Sequence, residues 1–110
     1  MIEKTIGQIE ETLAGASSLS EKRRAELLKL LAELKTEVAG LAETHHDSAV
    51  NITDKTRISA DQATRTDDGG PGLDSTIEEL KTAVEKFEVS HPGLVSVVNS
   101  FCNALADLGI

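Results

Sequence analysis

Aliphatic side chains recur along this chain at alternating spacings of four and three residues, and no other feature constrains its folding so tightly. Ile2, Ile6, Ile9 and Leu13 set the rhythm, and Leu27, Leu31, Leu34, Val38 and Leu41 repeat it. Leu73, Ile77, Leu80, Val84 and Phe87 take it up again, and Leu94, Val98, Phe101, Leu105 and Leu108 carry it to the C-terminal end. On a helix of about 3.6 residues per turn this spacing draws one apolar stripe, and a stripe has to be buried against another. The expected fold is therefore all-α: a small helical bundle of four or five helices, built from helical hairpins with heptad-like seams. At 110 residues the chain has the size of a single domain.

The residues between the stripes set the boundaries. Gly15 and the Ser17-Ser18 pair stop the first helix, and Ser18 with Glu21 has the spacing of a capping box. The second helix runs to about Thr44; Leu28 and Leu30 widen its stripe, and Lys29 is in reach of Glu26 and Glu33 on its outer surface. Residues 1–44 thus read as a helical hairpin. From His45 to Gly72 apolar residues thin out and Thr, Ser and Asp crowd in, which leaves either a linker or a weak third helix over about Asp47 to Thr66. Asp67-Asp68-Gly69-Gly70-Pro71-Gly72 reads as a break, with Asp74 or Ser75 capping the next helix.

Residues 73–110 read as a C-terminal helix pair. His91 keeps the register between Phe87 and Leu94, yet Pro92 inside a helix costs on the order of 3 kcal/mol and Gly93 about 1 more. His91, Pro92 and Gly93 are accordingly a structural corner, with Pro92 in the first turn of the last helix and Gly109 ending it.

Composition removes several function classes. Aromatic residues make up 2% of the chain, so the core is aliphatic and platforms for stacking bases or sugars are scarce. The net charge of −8 repels phosphate backbones and anionic lipid, and the one basic cluster, Lys22-Arg23-Arg24, is flanked by acids. Neither a nucleic-acid nor a membrane partner is expected. No apolar run approaches the roughly 18 residues of a spanning helix, and the acidic start MIEKTIGQIEETL is unlike a secretory signal. Cys102 is the one cysteine and forms no intramolecular disulfide, which points to a cytoplasmic setting.

The last segment is the odd one. From Leu94 to Ile110 the single charged residue is Asp107, and Val95, Val97, Cys102 and Ala104 flank the seam, so the apolar surface is wider than a two-helix contact requires. Two explanations compete: the helix lies in the middle of a bundle, or it self-associates. In the second case Leu94, Val95, Val97, Val98, Phe101, Cys102, Leu105 and Leu108 form the interaction surface, and small Ser, Ala and Asn residues let a copy approach closely.

Candidate chemistry is thin. His45-His46-Asp47 offers ligand types for zinc, nickel or iron, but adjacent helical residues point about 100° apart, whereas helical metal sites use spacings of three or four. His91 lacks a partner that would make it a general base, and the paired acids read as solvated faces. The reading is of a protein that is not an enzyme and has no cofactor, no metal and no catalytic residues.

Phe87-Glu88-Val89-Ser90-His91-Pro92, followed by Asn99, Cys102, Leu105 and the ending Leu108-Gly109-Ile110, resembles the bacterial domain-of-unknown-function family DUF4404, whose members are short helical proteins. The likeness is closest over the last third, looser in the Leu-rich second helix and weakest in the middle. It implies that the histidine-proline corner and the uncharged last helix belong together, and carries no activity, cofactor or substrate. The expected role is a helical interaction or structural module that forms a homo-oligomer, a dimer above all, through its C-terminal helix. The alternatives are a regulatory or chaperone-like binder of a partner protein's amphipathic helix and a small metal-binding protein.

Overall fold

Each four-three stripe becomes a helix, and so does the segment between them: α1 (Ile2–Gly15), α2 (Glu21–Ala42), α3 (His46–Thr64), α4 (Gly70–Glu85) and α5 (Pro92–Leu108). A computed structural model describes residues 2–17, 19–64 and 70–108, with the backbone alone at 70–73 and 108. The side chains of Leu73 and Leu108 and the helix end at Gly109 lie outside that description.

The weakest stripe makes the central helix. α3 packs against all four other helices, while α1, α2, α5 and α4 follow one another around it, each against the next. Among the described residues α1 and α4 do not meet, and the ring is open there. A helix with neighbours on nearly every side has room mostly for small residues, and α3 buries Ala49, Thr53, Thr56, Ser59, Ala60 and Ala63, with Ile52 as the one large side chain among them. Its hydroxyls are satisfied within the helix. Thr53 donates to the Ala49 carbonyl at 2.8 Å, Thr56 to that of Ile52 at 2.8 Å and Ser59 to that of Lys55 at 2.9 Å. Hydroxyls paired within the helix make this polar helix compatible with the core, and among the described residues Gln62 Oε1 is the one buried side-chain oxygen or nitrogen of α3 without a partner.

Around α3 the large aliphatics close the core as their spacing predicts. Ile6, Ile9 and Leu13 of α1, the five seam residues of α2, and Leu80, Val84 and Leu94 are at most 1% exposed. Polar bridges tie the seams at their rims: Thr12 to Asp61, Lys55 to Glu79, Lys81 to Asn103 and Arg23 to Asp107, at 3.2 to 3.6 Å. Pairs this exposed fix register more than they stabilise.

Several local expectations change. Ser20, not Ser18, caps α2, its Oγ accepting from the Arg23 amide at 3.2 Å; Ser18 itself lies outside the described residues. The residue three beyond Ser20 is Arg23, so no capping box forms. Lys29 pairs with neither Glu26 nor Glu33, and the ion pairs of α2 are instead Arg23 with Glu26 and Arg24 with Glu21. α4 starts at Gly70 within the expected break, because Pro71 in a first helical turn gives up an amide that has no intrahelical partner anyway. Asp74 and Ser75 are therefore inside the helix and cap nothing.

Arg24 does something its place in a basic triplet does not suggest. Its guanidinium donates to the carbonyls of Ala16 at 2.7 Å, Leu13 at 3.4 Å and Leu19 at 3.4 Å, while Nη1 meets Glu21 at 3.0 Å. It thereby adds a charged donor to the carbonyls of Leu13 and Ala16, which also accept from the amides of Ala16 and Leu19 at 3.4 and 3.3 Å, and holds the turn into α2.

Candidate interaction surface

The structure places Leu94, Val98, Phe101, Cys102 and Leu105 at 0% exposure and Val97 at 5%, under α2, α3 and α4, all of which pack on α5. Val95 is half-buried. The wide apolar stripe thus has an internal cause, and the side chains expected to meet a second copy are covered by the chain's own helices. What α5 offers outward is the opposite side: Ser96, Asn99, Ser100, Asn103 and Ala106 are exposed, uncharged and small. Asp107, at the end of that side, is held 3.6 Å from Arg23.

Between this side and α2 runs a surface groove. One part, of about 500 Å³, is lined by Arg23, Glu26 and Lys29 against Asn103 and Asp107; a second, of about 400 Å³, by Thr36 and Glu37 against Gly93 and Ser96. Leu30, Glu33 and Ser100 line both parts. α2 and α5 are antiparallel, since Arg23 near the start of α2 meets Asp107 near the end of α5.

The corner sits as its proline requires. The His91 amide donates to the Phe87 carbonyl at 2.7 Å, and the His91 carbonyl accepts from Leu94 at 3.1 Å and Val95 at 3.4 Å, opening α5 with Pro92 in its first turn. The side chains do more. Phe87, 4% exposed, makes T-shaped contacts with His45 at 5.1 Å between centroids and with His91 at 6.1 Å, and Lys86 Nζ lies 5.2 Å from the centre of its ring. One aromatic ring therefore joins the α2–α3 corner to the α4–α5 corner. Sequence spacing could not show the His45–Phe87 pair, which is 42 residues apart in the chain.

Chemistry is not concentrated anywhere in the described residues. No three His, Cys, Asp or Glu side chains there stand close enough to hold a metal ion. His45 Nδ1 is 2.8 Å from the Thr44 hydroxyl, and His46 faces Asp47 at 3.6 Å in the open. Burial pushes the Cys102 thiol up to about 11 against the opposing pull of Lys81, so it is neither a thiolate nor a ready nucleophile near neutrality. No helix among the described residues is long and apolar enough to cross a membrane.

The fold and this surface define an acidic all-α bundle that shows an uncharged helix side and a charged groove to its surroundings. The chain belongs to the Domain of unknown function (DUF4404) family, whose model matches residues 2–110. No curated protein and no solved structure matches it.

Proposed function

We propose that this protein is a non-enzymatic helical interaction module that self-associates through the outer side of α5 and the groove beside it. The observation that carries the reading is the run of exposed, uncharged residues Ser96, Asn99, Ser100, Asn103 and Ala106 in a chain of net charge −8. Elsewhere mutual repulsion keeps acidic copies apart; along the outer side of α5 a second helix meets no charge before Asp107, which Arg23 already holds. The contact is polar and modest in size, so the association is reversible, and a dimer with twofold symmetry is the simplest closed form. A cytoplasmic setting fits, because the lone cysteine is buried and unpaired.

The test is the molar mass in solution by light scattering over a micromolar dilution series. The expected result is a mass approaching twice 11.7 kDa that falls on dilution. Ser100→Glu, at an exposed position that leaves the helical content unchanged, brings two like charges together and returns the monomer. A wild-type protein that is monomeric at every concentration overturns the reading and leaves the groove to a helix from another protein.

A further inference from the structure

We infer that the α2–α5 groove seats an amphipathic helix of another protein, about four turns long, whose lysine- or arginine-rich flank lies against Glu33 and Glu37.

The walls of the groove are two helical stripes of matching length. On α2 the lining residues Arg23, Glu26, Leu30, Glu33 and Glu37 follow one another at spacings of three and four. On α5 Gly93, Ser96, Ser100, Asn103 and Asp107 do the same. Each stripe covers about 21 Å of its helix, at roughly 1.5 Å per residue. A helix laid between two such stripes keeps its own three-four seam against both, as a third strand does in a coiled coil. The α5 wall is small enough for close approach, while Leu30, Val97 and Ala104 give a partner's aliphatic side chains an apolar surface to cover.

Charge selects the occupant. The groove is lined by the acids Glu26, Glu33, Glu37 and Asp107 and by the cations Arg23 and Lys29, so it is net acidic. Arg23 meets Glu26 at 3.5 Å and Asp107 at 3.6 Å, and those three charges answer one another. Toward Gly93 the groove is lined by Glu33 and Glu37 and by no cation, and neither carboxylate makes an ion pair among the described residues. A basic flank placed there finds two unanswered carboxylates one turn apart. A second copy has no such flank to offer: in its one basic cluster, Lys22-Arg23-Arg24, Arg23 is held by Glu26 and Asp107 and Arg24 is committed to the α1–α2 turn. The occupant is therefore a different protein. Nothing in this requires self-association, although a helix in the groove covers Ser96, Ser100 and Asn103 and so displaces a second copy from them.

The experiment titrates the full-length protein with a synthetic helix of about 15 residues, leucine and alanine on one face and lysine on both flanks, and with its twin in which every lysine is glutamate. Calorimetry at about 0.15 M salt gives the dissociation constants, and amide chemical shifts give the place. The lysine helix is expected to bind and to shift amides of residues 23–37 and 93–107; the glutamate twin is not. Glu33→Lys with Glu37→Lys weakens binding at least about tenfold, whereas Glu10→Lys with Glu11→Lys, exposed on α1, changes the net charge equally and leaves binding within about twofold. Because Glu37 is half-buried, Glu33→Gln with Glu37→Gln serves as the milder pair, expected to weaken binding about threefold at unchanged helical content. No binding of the lysine helix, equal binding of the twins, equal loss in the two lysine pairs, or shifts confined elsewhere overturns the assignment. A wild-type protein that is monomeric throughout leaves it standing, whereas one that dimerises and ignores the lysine helix gives the groove to the second copy.

Discussion

Gly93 stands so close to Glu37 that a β-carbon at residue 93 lies 2.9 Å from the carboxylate Oε1. The contact brings the first turn of α5 against α2, and it invites the view that no side chain is tolerated there. The crowding atoms, however, belong to the far end of a flexible side chain on the rim of an open groove. Gly93→Ala is therefore expected to push the carboxylate aside and to stabilise the protein by about 0.5 kcal/mol, the helix-propensity and unfolded-chain gain less the displacement. A lowered urea midpoint would show that Glu37 is held where it is, and Glu37→Ala should then restore the gain.

Arg23 and Arg24 are adjacent and chemically identical, and the structure gives them unequal tasks. Arg24 is 21% exposed in its side chain and donates to three carbonyls around the α1–α2 turn; Arg23 is 42% exposed and meets two solvated carboxylates. Arg24→Met should cost about 1 to 3 kcal/mol, because it removes the charged donor that ties the Leu13, Ala16 and Leu19 carbonyls together around the turn. Arg24→Lys should recover little of that, since an ammonium cannot reproduce the planar fork. Arg23→Met is expected to change stability by about 0.5 kcal/mol or less. Equal urea midpoints for the two methionine variants would dismiss the clamp.

These two arginines show how far the sequence could be read. Leu27, Leu31, Leu34 and their counterparts on α1, α4 and α5 announce their helices because large aliphatics dominate any periodic pattern. α3 has the same four-three spacing at Ala49, Thr53, Thr56, Ala60 and Ala63, but small and hydroxylated residues barely register as a stripe, and what selects them is the crowding of four neighbours. The breadth of the apolar face on α5 was legible; that α2, α3 and α4 cover it was not, since periodicity says how much must be buried and never by what. Contacts made at a distance, such as His45 with Phe87 or Arg24 with the end of α1, leave no local trace in the chain.

Thr56 tests how a polar helix can occupy the centre of the bundle. Its hydroxyl is fully buried and donates at 2.8 Å to the Ile52 carbonyl, which the helix already engages through an amide. Removing the hydroxyl strands no partner, unlike most buried polar deletions. Thr56→Val keeps the shape, adds apolar contact and is expected to stabilise by about 1 kcal/mol. A fall of similar size in the urea midpoint at unchanged slope would mean that the hydroxyl contributes to the packing of the hub in a way its hydrogen bond does not reveal.

Cys102 makes the fold sensitive to alkali. Burial raises its pKa from an ordinary 9.0 to about 11, so the folded state favours the neutral thiol more than the unfolded chain does. Stability from this group is complete below about pH 9 and is lost as pH rises through 11, because only the unfolded chain is then free to ionise. The loss attributable to the thiol is about 2 kcal/mol by the upper end of that window, a tenfold difference in proton affinity being worth about 1.4 kcal/mol. Cys102→Ala carries no such group and should decline less steeply over the same range, even though its small cavity lowers stability at neutral pH. Parallel declines for the two proteins in urea titrations from about pH 8 to 11 would show that the thiol ionises as readily inside the bundle as in water, and that α5 is less firmly covered than its burial implies.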